Sequence, residues 1–143
     1  MANLSQFSSR LAKLTCSGDE FFTFITDMRN FGQFIPSGSA NGWHANEDNC
    51  VFTMAPMGEV SLKVLSKTRS SAVSFSGIVL VTTAFTLHVS IHEDENTKAD
   101  VKLLMEADLN PMLKLMASGP IDRFLDTLVT EMENFREWKS QVP

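Results

Sequence analysis

Between Thr83 and His92 the chain alternates: Phe85, Leu87, Val89 and Ile91 fall on one side, and Thr86, His88, Ser90 and His92 on the other. That period of two marks a strand with one buried and one wet face. Its partner is predicted over Lys98 to Asp108, where Ala99, Val101, Leu103, Met105 and Ala107 alternate after the acidic turn Glu93-Asp94-Glu95-Asn96. Earlier in the chain, Trp43 to Ala45 and Cys50 to Ala55 flank Asn46-Glu47-Asp48-Asn49, a hairpin connection. Gly58 to Lys67 sets Val60, Leu62 and Val64 against Ser61 and Lys63, and Ala72 to Ser76 places Val73 and Phe75 on one face. A first strand from Gln6 to Thr15, marked by Phe7, Leu11 and Leu14, has an imperfect period that suits a bend or bulge. Six or seven antiparallel strands follow from these patterns.

Helical spacing occurs in two places. Ser17 with Glu20 three residues on forms a capping box, opening an amphipathic turn through Phe21, Phe22, Phe24, Ile25 and Met28. A second short helical turn is expected over Asn30 to Ile35 before Pro36 stops the run and residues 37–42 form a loop. The longer signal comes last. Asn110 is an N-cap and Pro111 occupies the first helical position, after which Leu113, Met116, Ile121, Phe124, Leu125, Leu128, Met132 and Phe135 step by threes and fours. Gly119-Pro120 interrupts that stripe, so a kink rather than a second helix is predicted there. Trp138, finishing the stripe, reads as packing more readily than as a dimer contact.

The order of strand, short helices, a run of strands and a long terminal helix is an α+β layout, with the sheet curving around the only helix long enough to fill it. The 143 residues are 43% hydrophobic and 20% charged, the size and usage of one domain with one core, spanning 1–143. A net charge of −5 repels a phosphate backbone and argues against nucleic acid as a partner. Met1 to Thr15 has no secretory pattern, which points to the cytoplasm, and the two cysteines, Cys16 and Cys50, are expected there as free thiols. The uncharged stretch Ser70 to His92 alternates and is rich in Ser and Thr, so it reads as strands rather than a membrane span.

Reactive chemistry is sparse. His88 and His92, four apart on a strand, are about 13 Å apart by the strand rise, too far to share a metal, and no metal or cofactor is expected. The sequence carries no nucleophile elbow, phosphate-binding loop or dinucleotide fingerprint, so no catalytic residue is nominated. His44, beside Trp43, and Glu59, at a strand start, are the groups to watch as an acid or base. Eight methionines and eleven phenylalanines with no tyrosine make an adaptable apolar interior.

Three stretches, Glu20 to Pro36 with its Asp27-x-x-Asn30-Phe31 step, Met57 to Val64, and Leu109 to Val129, resemble the START-like (SRPBCC) superfamily, the helix-grip group of polyketide cyclases and lipid-transfer domains. The resemblance implies a cavity between sheet and terminal helix lined by Phe52, Met54, Phe75, Phe85, Met105, Met112 and Met116, with Phe34 and Ile35 at its entrance. It implies a hydrophobic small molecule, lipid-like or aromatic, as the bound partner, without stable membrane insertion. The inward positions are almost wholly apolar, which favours binding over the alternatives: a cyclase- or dehydrase-type enzyme, or a protein-interaction domain with a filled core.

Overall fold

The computed structural model describes residues 4–35, 41–54, 58–68, 71–79, 83–136 and 138, with Met54 described by its backbone alone. Eight strands form one antiparallel sheet: β1 (Ser5–Ser8), β2 (Ala12–Lys13), β3 (Asn41–Ala45), β4 (Asn49–Met54), β5 (Gly58–Thr68), β6 (Ala72–Val79), β7 (Thr83–Glu93) and β8 (Ala99–Ala107). Their spatial order is β1-β8-β7-β6-β5-β4-β3, with β2 also pairing β8. The expected first strand is therefore two short pieces on either side of a bend. Both pair with β8, through Phe7 opposite Met105 and Ala12 opposite Val101. Counted as one strand, they bring the sheet to seven, as the alternation predicts.

Helix α1 (Gly18–Ile25) opens on the capping box the sequence shows: the Ser17 hydroxyl accepts from the Glu20 amide, and the Glu20 carboxylate accepts from the Ser17 amide. Its N-terminus takes a further carboxylate from across the sheet, Glu93, which accepts from the Gly18 amide at 2.8 Å. Helix α2 (Met28–Phe31) and a 3-10 turn, Gly32–Phe34, fill the space expected for a second short helix. Buried Asn30 ties α2 back to α1 by donating to the Phe24 carbonyl.

Helix α3 (Pro111–Asn134) starts at Asn110, whose side chain accepts from the Leu113 amide, and runs on through Pro120. It packs on β1, β2, β8 and the 3-10 turn. Arg10, at the bend between β1 and β2, pairs with Glu133 at 2.8 Å, and Glu133 also accepts from the Lys13 amide. These contacts hold the Glu133 carboxyl below the usual carboxylate range, the Lys13 hydrogen bond first and Arg10 after it.

The buried side chains form one cluster between the sheet and the helices. At one end lies an aromatic knot. Phe24, Phe34, Phe135 and Trp138 sit with ring centroids 4.8 to 5.8 Å apart, in tilted and edge-on geometries favoured by ring quadrupoles. The Trp138 indole donates to Thr15 Oγ1, so the last aromatic of the stripe packs within the chain.

Candidate functional site

Inside the grip, between sheet and α3, the described residues enclose a hollow of about 20 Å³, bounded by Val60, Val79, Phe85 and Met105 from the sheet and by Pro120, Ile121 and Phe124 from α3. It lies at the proline of the helix, and every residue around it is apolar. A space of this size is about that of one water, and with no polar partner it would stay dry.

The two halves of α3 differ. From Ile121 to Met132 the stripe is buried, with Leu125, Leu128, Val129 and Met132 at 1% exposure or less. From Pro111 to Met116 only Leu113 packs on the core. Met112 is 72% exposed, Leu115 85% and Met116 66%, apolar side chains standing in water in the turns before Pro120. Pro120 has no amide to give the carbonyl of Met116, so the first half of α3 joins the second with one helical hydrogen bond missing.

Of the residues the sequence nominated for a cavity lining, Phe85 and Met105 border the hollow. Phe52 lies next to it, 6.3 Å by ring centroid from Phe124 and 5.6 Å from Trp43. Phe75 packs edge-on against Phe31 and does not border the hollow. Phe34 is fully buried within the aromatic knot rather than placed at an entrance, and Ile35 is half-buried beside it. Met112 and Met116 do not face inward, because on that half of α3 Leu113 and Ala117 take the core-facing positions and the two methionines fall to the sides. The side chain of Met54 is outside the described residues. Val60, Val79, Pro120, Ile121 and Phe124 complete the wall. Val60, Ile121 and Phe124 had signals in the strand alternation and the helix stripe, Val79 and Pro120 had none, and cross-strand register was needed to bring them together.

The polar groups to watch face away from the hollow. His44 and Glu59 are both exposed, on β3 and β5, so neither presents an acid or base to it. Cys16 and Cys50 are buried free thiols, and burial pushes each up to about 12. Among the described residues, no three His, Cys, Asp or Glu side chains gather as a metal site would require.

One polar network was not legible in the sequence. On the outer face of the sheet, Ser74 Oγ lies 2.9 Å from His88 Nδ1, and His88 Nε2 lies 2.9 Å from Glu106 Oε1. Gln6 Nε2 donates to the other oxygen of Glu106 at 2.8 Å. The Gln6 amide, and the His88 ring after it, hold the Glu106 carboxyl below its ordinary range.

No family model matches the sequence, and no curated protein matches it either. Solved structures do. The fold is similar to that of norcoclaurine synthase from Thalictrum flavum in complex with dopamine and hydroxybenzaldehyde, at TM-score 0.65 and 10% identity over 95% of this chain and 90% of that one. It is similar to Ms6760 from Mycobacterium smegmatis, at TM-score 0.69 and 8% identity over 90% and 88% of the two chains. It is also similar to Mll3558 from Rhizobium loti, at TM-score 0.63 and 14% identity over 92% and 99%. At these identities the likeness establishes the fold alone, which is the START-like helix grip.

Proposed function

We propose that this helix-grip chain binds a hydrophobic small molecule, lipid-like or aromatic, between the sheet and α3, and carries or senses it rather than transforming it. The observation that carries this reading is the position of the apolar hollow. It sits at Pro120, where the half of α3 that leaves Met112, Leu115 and Met116 in water ends. A ligand larger than the hollow enters by displacing that half-helix about Pro120, and its apolar surface then covers Met112, Leu115 and Met116 as well as the hollow itself. Burying such side chains is worth about 1.5 to 3 kcal/mol each, enough to offset the movement of two helical turns. The complex of norcoclaurine synthase with two small aromatic compounds supports the idea that this architecture takes such guests. The wholly apolar wall, and the outward-facing His44 and Glu59, speak against a cyclase or dehydrase. Buried free Cys16 and Cys50 suit a reducing compartment such as the cytoplasm.

The test is native mass spectrometry of protein purified without detergent, followed by solvent extraction and by titration of delipidated protein with fatty acids, isoprenoids and aromatic polyketides. A copurifying molecule, or saturable binding that Ile121→Trp removes from a folded protein, is expected. A clean mass together with no binding below millimolar concentration sinks the proposal. A second reading has its own observation. The exposed Met112, Leu115 and Met116 also suit a protein-interaction domain, and that same double negative would favour it.

A further inference from the structure

A second hollow lies outside the grip, on the outer face of the sheet, with a volume of about 690 Å³. Strand register explains its shape. One row crosses the strands as Asn49, Lys63, Ser76, Thr86, Glu106 and Gln6, each residue opposite the next. The neighbouring row runs Val51, Ser61, Ile78 and Ala84, with Leu4 beyond it at the start of β1. The first row is polar and the second mainly apolar. In the middle, Ser61, Ser76, Ala84 and Thr86 have short side chains with Ile78 among them, whereas Lys63, Glu106 and Leu4 rise around them. The result is a trough with an apolar floor, hydroxyls along one side and a carboxylate at one end.

We infer that this trough is a second binding site, separate from the space under α3, and that its ligand is an amphipathic amine: an apolar chain or ring system with one ammonium group. Glu106 sets the charge. Its side chain is 23% exposed, its carboxylate is held at both oxygens by Gln6 and His88, and it borders the hollow. It stays ionised, since its neighbours favour the charged form. A carboxylate keeps acceptor capacity beyond two hydrogen bonds, and a charge-assisted bond from an ammonium group is the strongest partner for what remains. The apolar row receives the body of the molecule, over Ile78 and Ala84, which are otherwise exposed to water. Orientation follows from Lys63. It stands three strands from Glu106, about 14 Å by strand spacing, so an ammonium group at its end of the trough meets a like charge and one at the Glu106 end does not. His88, held between Ser74 and Glu106, positions the carboxylate.

The probe is n-octylamine, with octanoate as its oppositely charged counterpart, titrated into isotopically labelled protein and followed by amide chemical shifts. Saturable shifts at Ser76, Ile78, Ala84 and Thr86 are expected with the amine, and binding of octanoate there about tenfold weaker or worse, the worth of one charge-assisted hydrogen bond. Glu106→Gln, isosteric and able to keep its neighbours, should weaken the amine by a similar factor. Ala84→Trp, at an exposed position, should fill the trough and abolish the shifts. Shifts confined to Val60, Val79, Met105 and Ile121 would place the amine under α3 and overturn the inference while leaving the proposed function standing. Unchanged affinity in a natively folded Glu106→Gln variant, or no saturation up to millimolar amine, overturns it as well.

Discussion

The ring of Phe85 lies over the backbone of Gly77, its registered partner on β6, so closely that a Cβ at Gly77 would stand 2.5 Å from Phe85 Cζ and would also collide with the Ser61 carbonyl. The missing side chain is what lets Phe85 lean across the sheet and form part of the wall under α3. Gly77→Ala has no room to relax, since one of the colliding atoms is backbone. It should cost about 1 to 3 kcal/mol or more by overpacking, read as a lowered midpoint in urea at unchanged slope. Phe85→Leu in the same background should recover part of the loss, and failure to do so would show that the Ser61 carbonyl is the dominant contact.

The contrast between the halves of α3 predicts two kinds of mutant. Leu128→Ala, in the buried half, should cost about 2 to 5 kcal/mol. Met112→Ser and Met116→Ser, on the exposed half, should leave stability within about 0.5 kcal/mol while weakening whatever apolar partner covers them. A large stability loss in either serine variant would mean that this half packs more tightly than it does here.

Asn110 caps that same half. Asn110→Ala should cost about 1 kcal/mol and should raise amide exchange in the turns before Pro120 more than in those after it. Equal protection changes on both sides of the proline would argue that α3 opens as one unit.

The buried thiols give a pH dependence with a definite sign. Cys16 and Cys50 are pushed up to about 12 by burial, which for Cys16 acts ahead of the nearby Glu20 carboxylate. Their thiol form is thus favoured in the native state. The stability this contributes is fully present below the unfolded thiol range near 8.5 and is lost as pH rises from there towards 12. Urea midpoints should fall between pH 8 and pH 10 and fall less in a Cys16→Ala, Cys50→Ala double variant, and a thiol reagent at neutral pH should react with both only on unfolding.

Glu106 works in the other direction. Its folded-state range is depressed, so its contribution is present above the unfolded carboxyl value of about 4.3 and disappears as the pH falls through the lower folded one. The acid limb of the stability curve should be shallower in Glu106→Gln, and an unchanged limb would mean that Gln6 and His88 hold no more than a solvated carboxylate.

Much of the architecture was legible in the chain because periodicity reports burial directly. The alternation over Phe85 to Ile91, the Ser17 and Glu20 cap and the Asn110-Pro111 start each appear where expected. The candidate sites were less so, for two physical reasons. A helical stripe records broadly which side of a helix is apolar, not which of its members meet the core, and Met112 and Met116 were placed inward where Leu113 and Ala117 pack instead. Strand register is a long-range property, so Ser74, His88, Glu106 and Gln6 carry no joint signal in sequence. Separations of 14, 18 and 100 residues become hydrogen bonds only once the sheet has formed.

That the strand beginning at Ser5 pairs with the one ending at Ala107 also sets an order of assembly. The hairpins from β3 to β8 join neighbours in sequence and close early, whereas the first strand must wait for β8, and loop closure over such a span slows folding. On a ribosome, the N-terminal segment leaves the tunnel first and finds its place among the last. Until then the flank of β8 is an open edge, able to pair with a second nascent chain.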